Sequence, residues 1–374
     1  MPSGDGAPPA PLLHGRGDGM SKQAKVTFKV LRLNRWSVAF FVLLALALVF
    51  FPFERLSALL PVLSNASKRV ENGVTFLGRD LSGKSARELE QLLAQVAQQI
   101  KAPPVDAAVK GRELLPDLNG VELDVNATYL RVITAQPGQL VEPKINEIKA
   151  AKTIDDFPNV PIYKGNPAKP QVTFLVNVAW GEQDLPAILD IFKENGVKAT
   201  FFLTKPFAQK NKALVQRLAQ EGHELANHGY ANKSPLELSK EELTAEIVQT
   251  ERVVKEFTGK KTSYYSPHKG EYNDQALATA TGLGYRTIMW SLDTVDWDRK
   301  PAAEIVSRIV PHVKGGDLIL MHPLSNTKQA LPQILAGLKE KGLSPVTLTE
   351  MLSPTPVLGP ASIKPSLQSE TTRS

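Results

Sequence analysis

The apolar residues of this chain follow three successive patterns, and each pattern predicts a different kind of structure. Residues 36–53 are apolar without interruption. Residues 70–137 combine strand-like alternation with helix-like spacing, and from residue 171 onward the two kinds of spacing repeat in turn. We therefore expect a membrane-spanning helix, then a small α+β domain, and then a larger α/β domain.

The uninterrupted run spans eighteen residues without a charge, which is near the lower limit for a membrane-spanning helix. Five basic residues precede it with no acid among them: Lys22, Lys25, Lys29, Arg32 and Arg35. By the positive-inside rule, residues 1–35 form a cytoplasmic, mostly disordered tail, and the chain beyond Glu54 is extracytoplasmic. The alternative is a cleaved signal peptide, whose apolar region is normally shorter. We expect an uncleaved, single-pass anchor in the cell membrane.

Residues 70–137 predict a small α+β module. Val70 to Leu77 and Val121 to Val125 predict strands, and Ser85 with Glu88 has the spacing of a helix capping box. Five apolar residues then share one helix face: Leu89, Leu92, Leu93, Val96 and Ile100. The stretches FLGRDLSGKSAREL and GVELDVNAT resemble small peptidoglycan-binding-type domains of Gram-positive surface proteins. The alternative is a structural spacer that lifts the next domain off the membrane.

Residues 138–170 contain five prolines and are interpreted as a linker, and residues 354–374 as a disordered tail. Between them, residues 171–353 alternate strand-like and helix-like segments. The strand-like segments are Val172 to Val178, Ala199 to Leu203, the residues near Tyr264, Thr287 to Trp290, and Leu318 to Met321. Repeated alternation of this kind predicts a parallel sheet, either open or closed into a barrel.

Functional groups in such folds gather just beyond the carboxyl ends of the strands. Those positions are Ala179-Trp180, His228 with Asn232, Ser266 to Gly270, Asp293 to Trp297, and His322. We expect these five segments, one from each of five strands, to meet at one rim of the sheet.

Composition narrows the possible chemistry. The chain has no cysteine, which excludes disulfides, thiol catalysis and cysteine-ligated metal sites. Its formal net charge of +6 suits anionic surfaces such as wall polymers or lipid headgroups. Nucleic acid is not an expected partner, because the folded part has no Lys-Arg run interleaved with aromatic residues.

The segment from Lys198 to Tyr230, KATFFLTKPFAQKNKALVQRLAQEGHELANHGY, is similar to the polysaccharide deacetylases, the NodB-homology domain or carbohydrate esterase family 4. The resemblance covers residues 171–353 with all five motif positions in order. It implies an irregular (β/α) barrel and metal-assisted hydrolysis of N-acetyl groups on chitin-like or peptidoglycan glycans. In that family one Asp and two His hold a divalent metal, a neighbouring Asp is the base, and a later His protonates the leaving amine.

The resemblance also implies which site residues are missing. Ala179 stands at the position of the base and Trp180 at that of the metal-binding Asp. Of the two metal-binding His positions, His228 is kept and the other is Asn232. Ser266 stands at the position of the Arg that steadies the base. Trp180 then has two possible roles, to fill the vacated metal cavity, which we favour, or to stack on a sugar ring.

The substrate-facing half of the family's site is kept. The resemblance implies that Asp296 orients His322, the retained catalytic pair, and that Trp297, Leu320 and Pro267 lie on the substrate side. The alternative for these residues is a purely structural role in holding loops together.

We therefore expect a membrane-anchored glycan-binding protein with little or no hydrolase activity and no cofactor. A first alternative is an active glycan N-deacetylase with a rebuilt Zn, Co or Mn site. That site would use His228, Asn232, His268 and a carboxylate such as Glu182 or Glu271, although we expect His268 to be an exposed loop residue. A second alternative is a scaffolding surface protein. Cell-wall glycan is the expected partner, and the sequence identifies no protein partner. Similar degenerate deacetylases occur in spore-forming bacteria, so the resemblance also suggests a sporulation role.

Overall fold

The computed structural model describes residues 68–230 and 233–357, which belong to a compact unit that spans Val62–Ser374. The predicted cytoplasmic tail, the predicted membrane helix at 36–53, Asn232 and most of the predicted C-terminal tail lie outside the described residues. Among the described helices, none has the length and apolarity that crossing a membrane requires.

The first part of the described chain contains short strands and two helices. The strands are β1 (Thr75–Phe76), β2 (Arg79–Asp80), β3 (Ala108–Lys110), β4 (Glu113–Leu115), β5 (Gly120–Leu123), β6 (Leu140–Val141) and β7 (Ile145–Ile148), and the helices are α1 (Ala86–Ile100) and α2 (Val125–Ile133). The predicted capping box begins α1. Ser85 Oγ accepts from the backbone N–H of Glu88, and the Glu88 carboxylate accepts from that of Ser85.

The strand predicted from Val70 to Leu77 is wrong in length, because a turn at Asn72-Gly73 interrupts it and only β1 remains. Gly73 has φ 73, in the region that glycine adopts most easily. The hairpin from β1 to β2 then turns at Leu77-Gly78.

Two short strands lie inside the segment 138–170 that the sequence predicts as a linker. Strand β6 pairs parallel with β1, and β7 pairs antiparallel with β5. Pro143 lies between β6 and β7, where its missing N–H interrupts no strand pairing. Residues 140–148 are therefore part of the small module's sheets, whereas the domain boundaries themselves stay a prediction.

The second part of the chain alternates strands and helices as predicted. The strands are β8 (Gln171–Val178), β9 (Thr200–Leu203), β10 (Glu224–Asn227), β11 (Tyr264–Tyr265), β12 (Arg286–Thr287), β13 (Leu292–Asp293), β14 (Leu318–Met321) and β15 (Ser344–Pro345). The helices are α3 (Leu185–Glu194), α4 (Lys205–Lys210), α5 (Lys212–Gln220), α6 (Lys240–Thr258), α7 (Asp274–Gly282), α8 (Ala302–Ile309), α9 (Ser325–Glu340) and α10 (Leu348–Leu352).

These strands form one parallel sheet in the order β12-β11-β10-β9-β8-β14-β13, and β15 pairs with the first residues of β8. The sheet is curled as a half-barrel, which confirms the predicted α/β class. All strands of the sheet run in the same direction, so their carboxyl ends share one rim.

Strand β8 is buried on both of its faces. Phe174 and Val176 pack towards the surrounding helices, whereas Leu175 belongs to the cluster inside the curled sheet. Side chains alternate along a strand, so Asn177 points to the same inner side as Leu175, one step closer to the rim. The inner face of the sheet is therefore apolar in its middle and polar at the rim.

A buried lysine closes the opposite end of the sheet. Lys169 Nζ donates to the backbone oxygens of Glu350, Met351 and Ser353, at 2.8, 3.0 and 2.8 Å. These carbonyls lie at the end of α10, where helix carbonyls have no partner within the helix. Burial lowers the pKa of the Lys169 ammonium, and the three acceptors satisfy its three donors.

Candidate functional site

Five loops at the carboxyl ends of the strands meet at one rim. They follow β8, β10, β11, β13 and β14 and carry Trp180, His228, Ser266, Asp296 and His322 respectively. Contacts among these residues divide the rim into two halves. One half is centred on His322 and the other on His228.

The first half is a hydrogen-bonded pair of Asp296 and His322. Asp296 is fully buried, and its Oδ1 accepts from His322 Nδ1 at 2.7 Å. Its Oδ2 accepts from the backbone N–H of His322 at 2.7 Å and from the Thr327 hydroxyl at 2.6 Å. An ionised carboxylate only accepts hydrogen bonds, so Nδ1 of His322 carries the proton and Nε2 is the nitrogen that Asp296 does not engage.

The loop that carries Asp296 is strained on both sides. Val295 and Arg299 have φ 52 and 55 and flank a 3-10 turn at Asp296–Asp298. A β-branched residue such as valine adopts positive φ only when its surroundings force it to. This conformation turns Asp296 inward and leaves Trp297 with 56% of its surface exposed.

Trp180 lies on the other side of the His322 ring. The indole and the imidazole are stacked, with their centroids 5.6 Å apart and their planes 7° from parallel. The neighbouring Gly181 has φ 94, and a Cβ there would lie 2.3 Å from the backbone oxygen of Pro323. Only glycine therefore allows the loop after β8 to approach the loop after β14 so closely.

Trp180 exposes 42% of its surface, so the favoured prediction that it fills a closed cavity is wrong. Ala179 is half-buried beside it and offers no group that could accept a proton. The loop after β8 thus brings an aromatic surface to the rim in place of the two carboxylates of the family motif.

The second half of the rim holds two buried histidines. His228 Nδ1 lies 2.7 Å from the backbone oxygen of Ser266, a hydrogen bond in which the ring nitrogen is the donor. The ring of His268 lies 4.0 Å from that of His228, centroid to centroid. His268 exposes only 2% of its surface, so the prediction of an exposed loop histidine is wrong. The cause is Lys269, whose φ of 59 reverses the chain and exposes the lysine in place of the histidine.

Burial keeps both imidazoles neutral. It lowers the pKa of His228 well below the ordinary value of 6.5, and the neighbouring His268 and His322 lower it further. Burial also lowers the pKa of His268 to about 4, assisted by Lys269. Within the described part of the chain, His268 Nε2 and Asn177 Oδ1 are buried without a hydrogen-bond partner.

The donor set does not fit the metal centre of the resembled family. At the family's ligand positions the chain has an indole at 180 and an imidazole at 228, and Asn232 lies outside the described residues. No group of three His, Cys, Asp or Glu that could hold a metal occurs in residues 68–230 or 233–357. Glu182 is paired with Lys210 at 2.7 Å instead of facing the histidines.

The remaining predicted site residues are placed as follows. Pro267 and Leu320 are buried, Leu320 within β14, and Trp297 is exposed. Sequence reasoning missed Thr327 and Asn326, in the first turn of α9, which bond the Asp296 carboxylate and the Asp296 backbone oxygen. No sequence signal marks them, because their role depends on how α9 packs beside the loop after β13.

Comparisons with known proteins agree with this fold and site. The family model described as polysaccharide deacetylase matches residues 164–288. The uncharacterized protein YlxY of Bacillus subtilis (strain 168) is 30% identical over 273 residues, which are 72% of this chain and 85% of that protein. A peptidoglycan-N-acetylglucosamine deacetylase of Bacillus cereus is 34% identical over 171 residues, 44% of this chain and 62% of that protein.

The solved structures include a protein described as a CE4 family pseudoenzyme from Bacillus anthracis. It is 30% identical, with a TM-score of 0.66, and the match covers 72% of this chain and 96% of that one. A mutant of that pseudoenzyme, described as having restored enzymatic activity, is 29% identical with the same TM-score, over 72% of this chain and 99% of that one.

The chain belongs to the polysaccharide deacetylase family, carbohydrate esterase family 4. Within it, the chain is a degenerate member, since Ala179, Trp180 and Ser266 replace the base, the metal-binding Asp and the supporting Arg of the family's motifs.

Proposed function

We propose that this protein is a membrane-anchored, extracytoplasmic deacetylase-family protein that binds N-acetylated cell-wall glycan with little or no hydrolase activity. The observation that carries the proposal is the contact between a kept and a replaced residue. Asp296 still holds His322, while Trp180 stacks on that imidazole at the position of the family's metal-binding Asp. The substrate-facing half of the site is thus retained without the half that activates water.

The expected loss of hydrolysis follows from ordinary catalytic magnitudes. Removal of a general base alone typically lowers a rate by about 10²–10⁴. Without a metal, water also lacks the charge that lowers its pKa. The replacements are consistent with each other, because an arginine at the buried position of Ser266 would have no carboxylate partner at Ala179.

The relatives support glycan as the ligand. One relative is by its name a peptidoglycan-N-acetylglucosamine deacetylase, and another is described as a pseudoenzyme of the same family. The chain's net charge of +6 also suits the anionic polymers of a cell wall. The anchor and the extracytoplasmic location rest on the apolar run 36–53, and protease protection of the tail in intact cells tests them.

Acetate release from N-acetylchitooligosaccharide or peptidoglycan tests the lack of hydrolysis. We expect none above background with Zn²⁺, Co²⁺ or Mn²⁺ added. Metal-dependent release that disappears in His322→Ala would contradict the proposal, because it would show that the retained pair still serves a working site.

Back-substitution provides the positive control. The combined variant Ala179→Asp, Trp180→Asp, Asn232→His and Ser266→Arg rebuilds the family's motif positions, and we expect it to release acetate in a metal-dependent way. The related pseudoenzyme mutant that is described as having restored activity supports this expectation. Release by the combined variant and none by the parent would show that the assay detects a functioning site.

A second candidate function is an active deacetylase with a rebuilt metal site. The observation that favours it is the 4.0 Å distance between the rings of His228 and His268, both buried and neutral. Metal analysis of the purified protein distinguishes the two functions. Stoichiometric Zn, Co or Mn that is lost in His268→Phe but kept in His312→Phe would favour the rebuilt site.

A further inference from the structure

We infer that Trp180 is a carbohydrate-stacking platform, and that its exposed indole face binds the C–H face of one neutral pyranose ring in an N-acetylated glycan. The inference rests on the proposed glycan-binding function and assigns it to a particular side chain. It gives a binding role to the position that the family uses for a metal-binding carboxylate.

The indole is held in one orientation before any ligand arrives. The His322 ring covers one of its faces at 5.6 Å with the planes 7° apart, and Asp296 fixes that imidazole through Nδ1. Gly181 fixes the loop from below, because only glycine fits against Pro323. A rigid aromatic side chain loses little conformational entropy when it binds, so this arrangement favours recognition.

The other indole face remains available, since Trp180 exposes 42% of its surface. Among the described residues, only a few large apolar side chains are this exposed, and Trp297, beside Asp296, is one of them. The first half of the rim therefore presents two exposed indoles next to the retained Asp-His pair. An exposed aromatic group at a concave rim is typical of a ligand contact rather than of the core.

The charges beside the indole favour a neutral ligand. Two acids follow Trp180 in the sequence, and each is paired with a lysine. Lys210 Nζ lies 2.7 Å from Glu182 Oε1, and Lys328 Nζ lies 2.5 Å from Asp184 Oδ1. Each pair cancels its own charge, so neither lysine is free to bind a phosphate or a carboxylate.

The geometry of the sugar matches the platform. A pyranose ring of the glucosamine type has its substituents equatorial and its ring hydrogens axial, so each face is flat and apolar. Such a face packs against an indole by dispersion and by attraction of the positive C–H edges to the negative π face. The ring hydroxyls and the N-acetyl group then point sideways, towards the rim and towards Nε2 of His322.

Calorimetry and saturation-transfer NMR of the full-length protein with N-acetylchitotetraose test the inference. We expect Trp180→Leu to weaken binding about tenfold or more and Trp180→Phe to weaken it less, because a smaller ring retains part of the contact. In the wild type, saturation should be strongest at the axial ring hydrogens of one face, and this selectivity should be lost in Trp180→Leu. A structural role alone would not move that NMR pattern.

Tyr230 provides the matched control, because it is a similarly exposed aromatic residue after β10 and its ring contacts Lys205 at 4.5 Å. Tyr230→Leu should bind as the wild type does. Circular dichroism confirms folding of each variant. Trp180→Leu that binds the tetrasaccharide within about twofold of wild type would overturn the inference alone. Failure of the wild type to bind any N-acetylated glycan would overturn the proposed function and the inference with it.

Discussion

His223 couples the stability of the fold to pH, although it lies away from the candidate site. Its imidazole is buried between Phe192 and Phe201, with centroids 5.8 and 5.0 Å away, and Nδ1 accepts from the backbone N–H of Ala199. Burial is the main reason that its pKa is lowered from 6.5 to about 4, and nearby Lys198 adds to it. The folded protein therefore keeps this ring neutral where the unfolded chain would protonate it.

The sign follows from proton linkage. As pH falls below 6.5, the unfolded state gains a proton at His223 that the folded state cannot accept until about pH 4. Stability is therefore complete above pH 6.5 and is lost progressively as pH falls towards 4. With pKa values of 6.5 unfolded and about 4 folded, this one residue accounts for a loss of about 2 kcal/mol between pH 7 and pH 5.

Urea unfolding of wild type and His223→Gln at both pH values measures this contribution. Glutamine does not titrate, so the variant should lose about 2 kcal/mol less stability than the wild type between pH 7 and pH 5. Any cost of the substitution that is common to both pH values cancels in this comparison. His312→Gln makes the same chemical change at an exposed position and should retain the wild-type difference. An unchanged difference in His223→Gln would refute the reasoning.

Three substitutions test the supports of the fold and the site by urea unfolding. Lys169→Met leaves three carbonyls without their donor and should cost about 3 kcal/mol, whereas Lys164→Met, in an exposed ion pair, should cost less than about 1 kcal/mol. Asp296→Asn should cost about 2 kcal/mol, with a change in imidazole tautomer detectable by nitrogen NMR; an unaltered tautomer would contradict the assigned hydrogen bond. Gly181→Ala should cost about 2 kcal/mol or more, and Gly196→Ala, with open space around it, about 1 kcal/mol; equal costs would argue against the close approach at Gly181.

The sequence predicted well those elements that depend on local pattern. Leu318–Met321 has the predicted bounds, and the helix predicted from Lys240 to Phe257 ends one residue later, at Thr258. Both have strong apolar periodicity, and Ser239 with Gly259 provides the helix with clear start and stop signals. The rim was predictable for the same reason, because parallel strands put their carboxyl ends together.

Features that depend on distant contacts or on single dihedral angles were not predictable. The inward position of His268 depends on the positive φ of Lys269, which is not glycine and gives no warning. Strands β6 and β7 depend on partners far away in sequence and not on their own composition. The stacking of Trp180 on His322 joins two loops separated by most of the domain, so the sequence could offer only alternatives for Trp180.

The central claim is that the retained half of the site binds N-acetylated glycan without cleaving it, and one NMR experiment tests both parts at once. The full-length protein is incubated with N-acetylchitotetraose and Zn²⁺, Co²⁺ or Mn²⁺ in turn, while saturation transfer to the sugar reports binding and the free acetate methyl signal reports hydrolysis. The account predicts saturation transfer with no growth of the acetate signal. Acetate that accumulates with a metal and disappears in His322→Ala would contradict it.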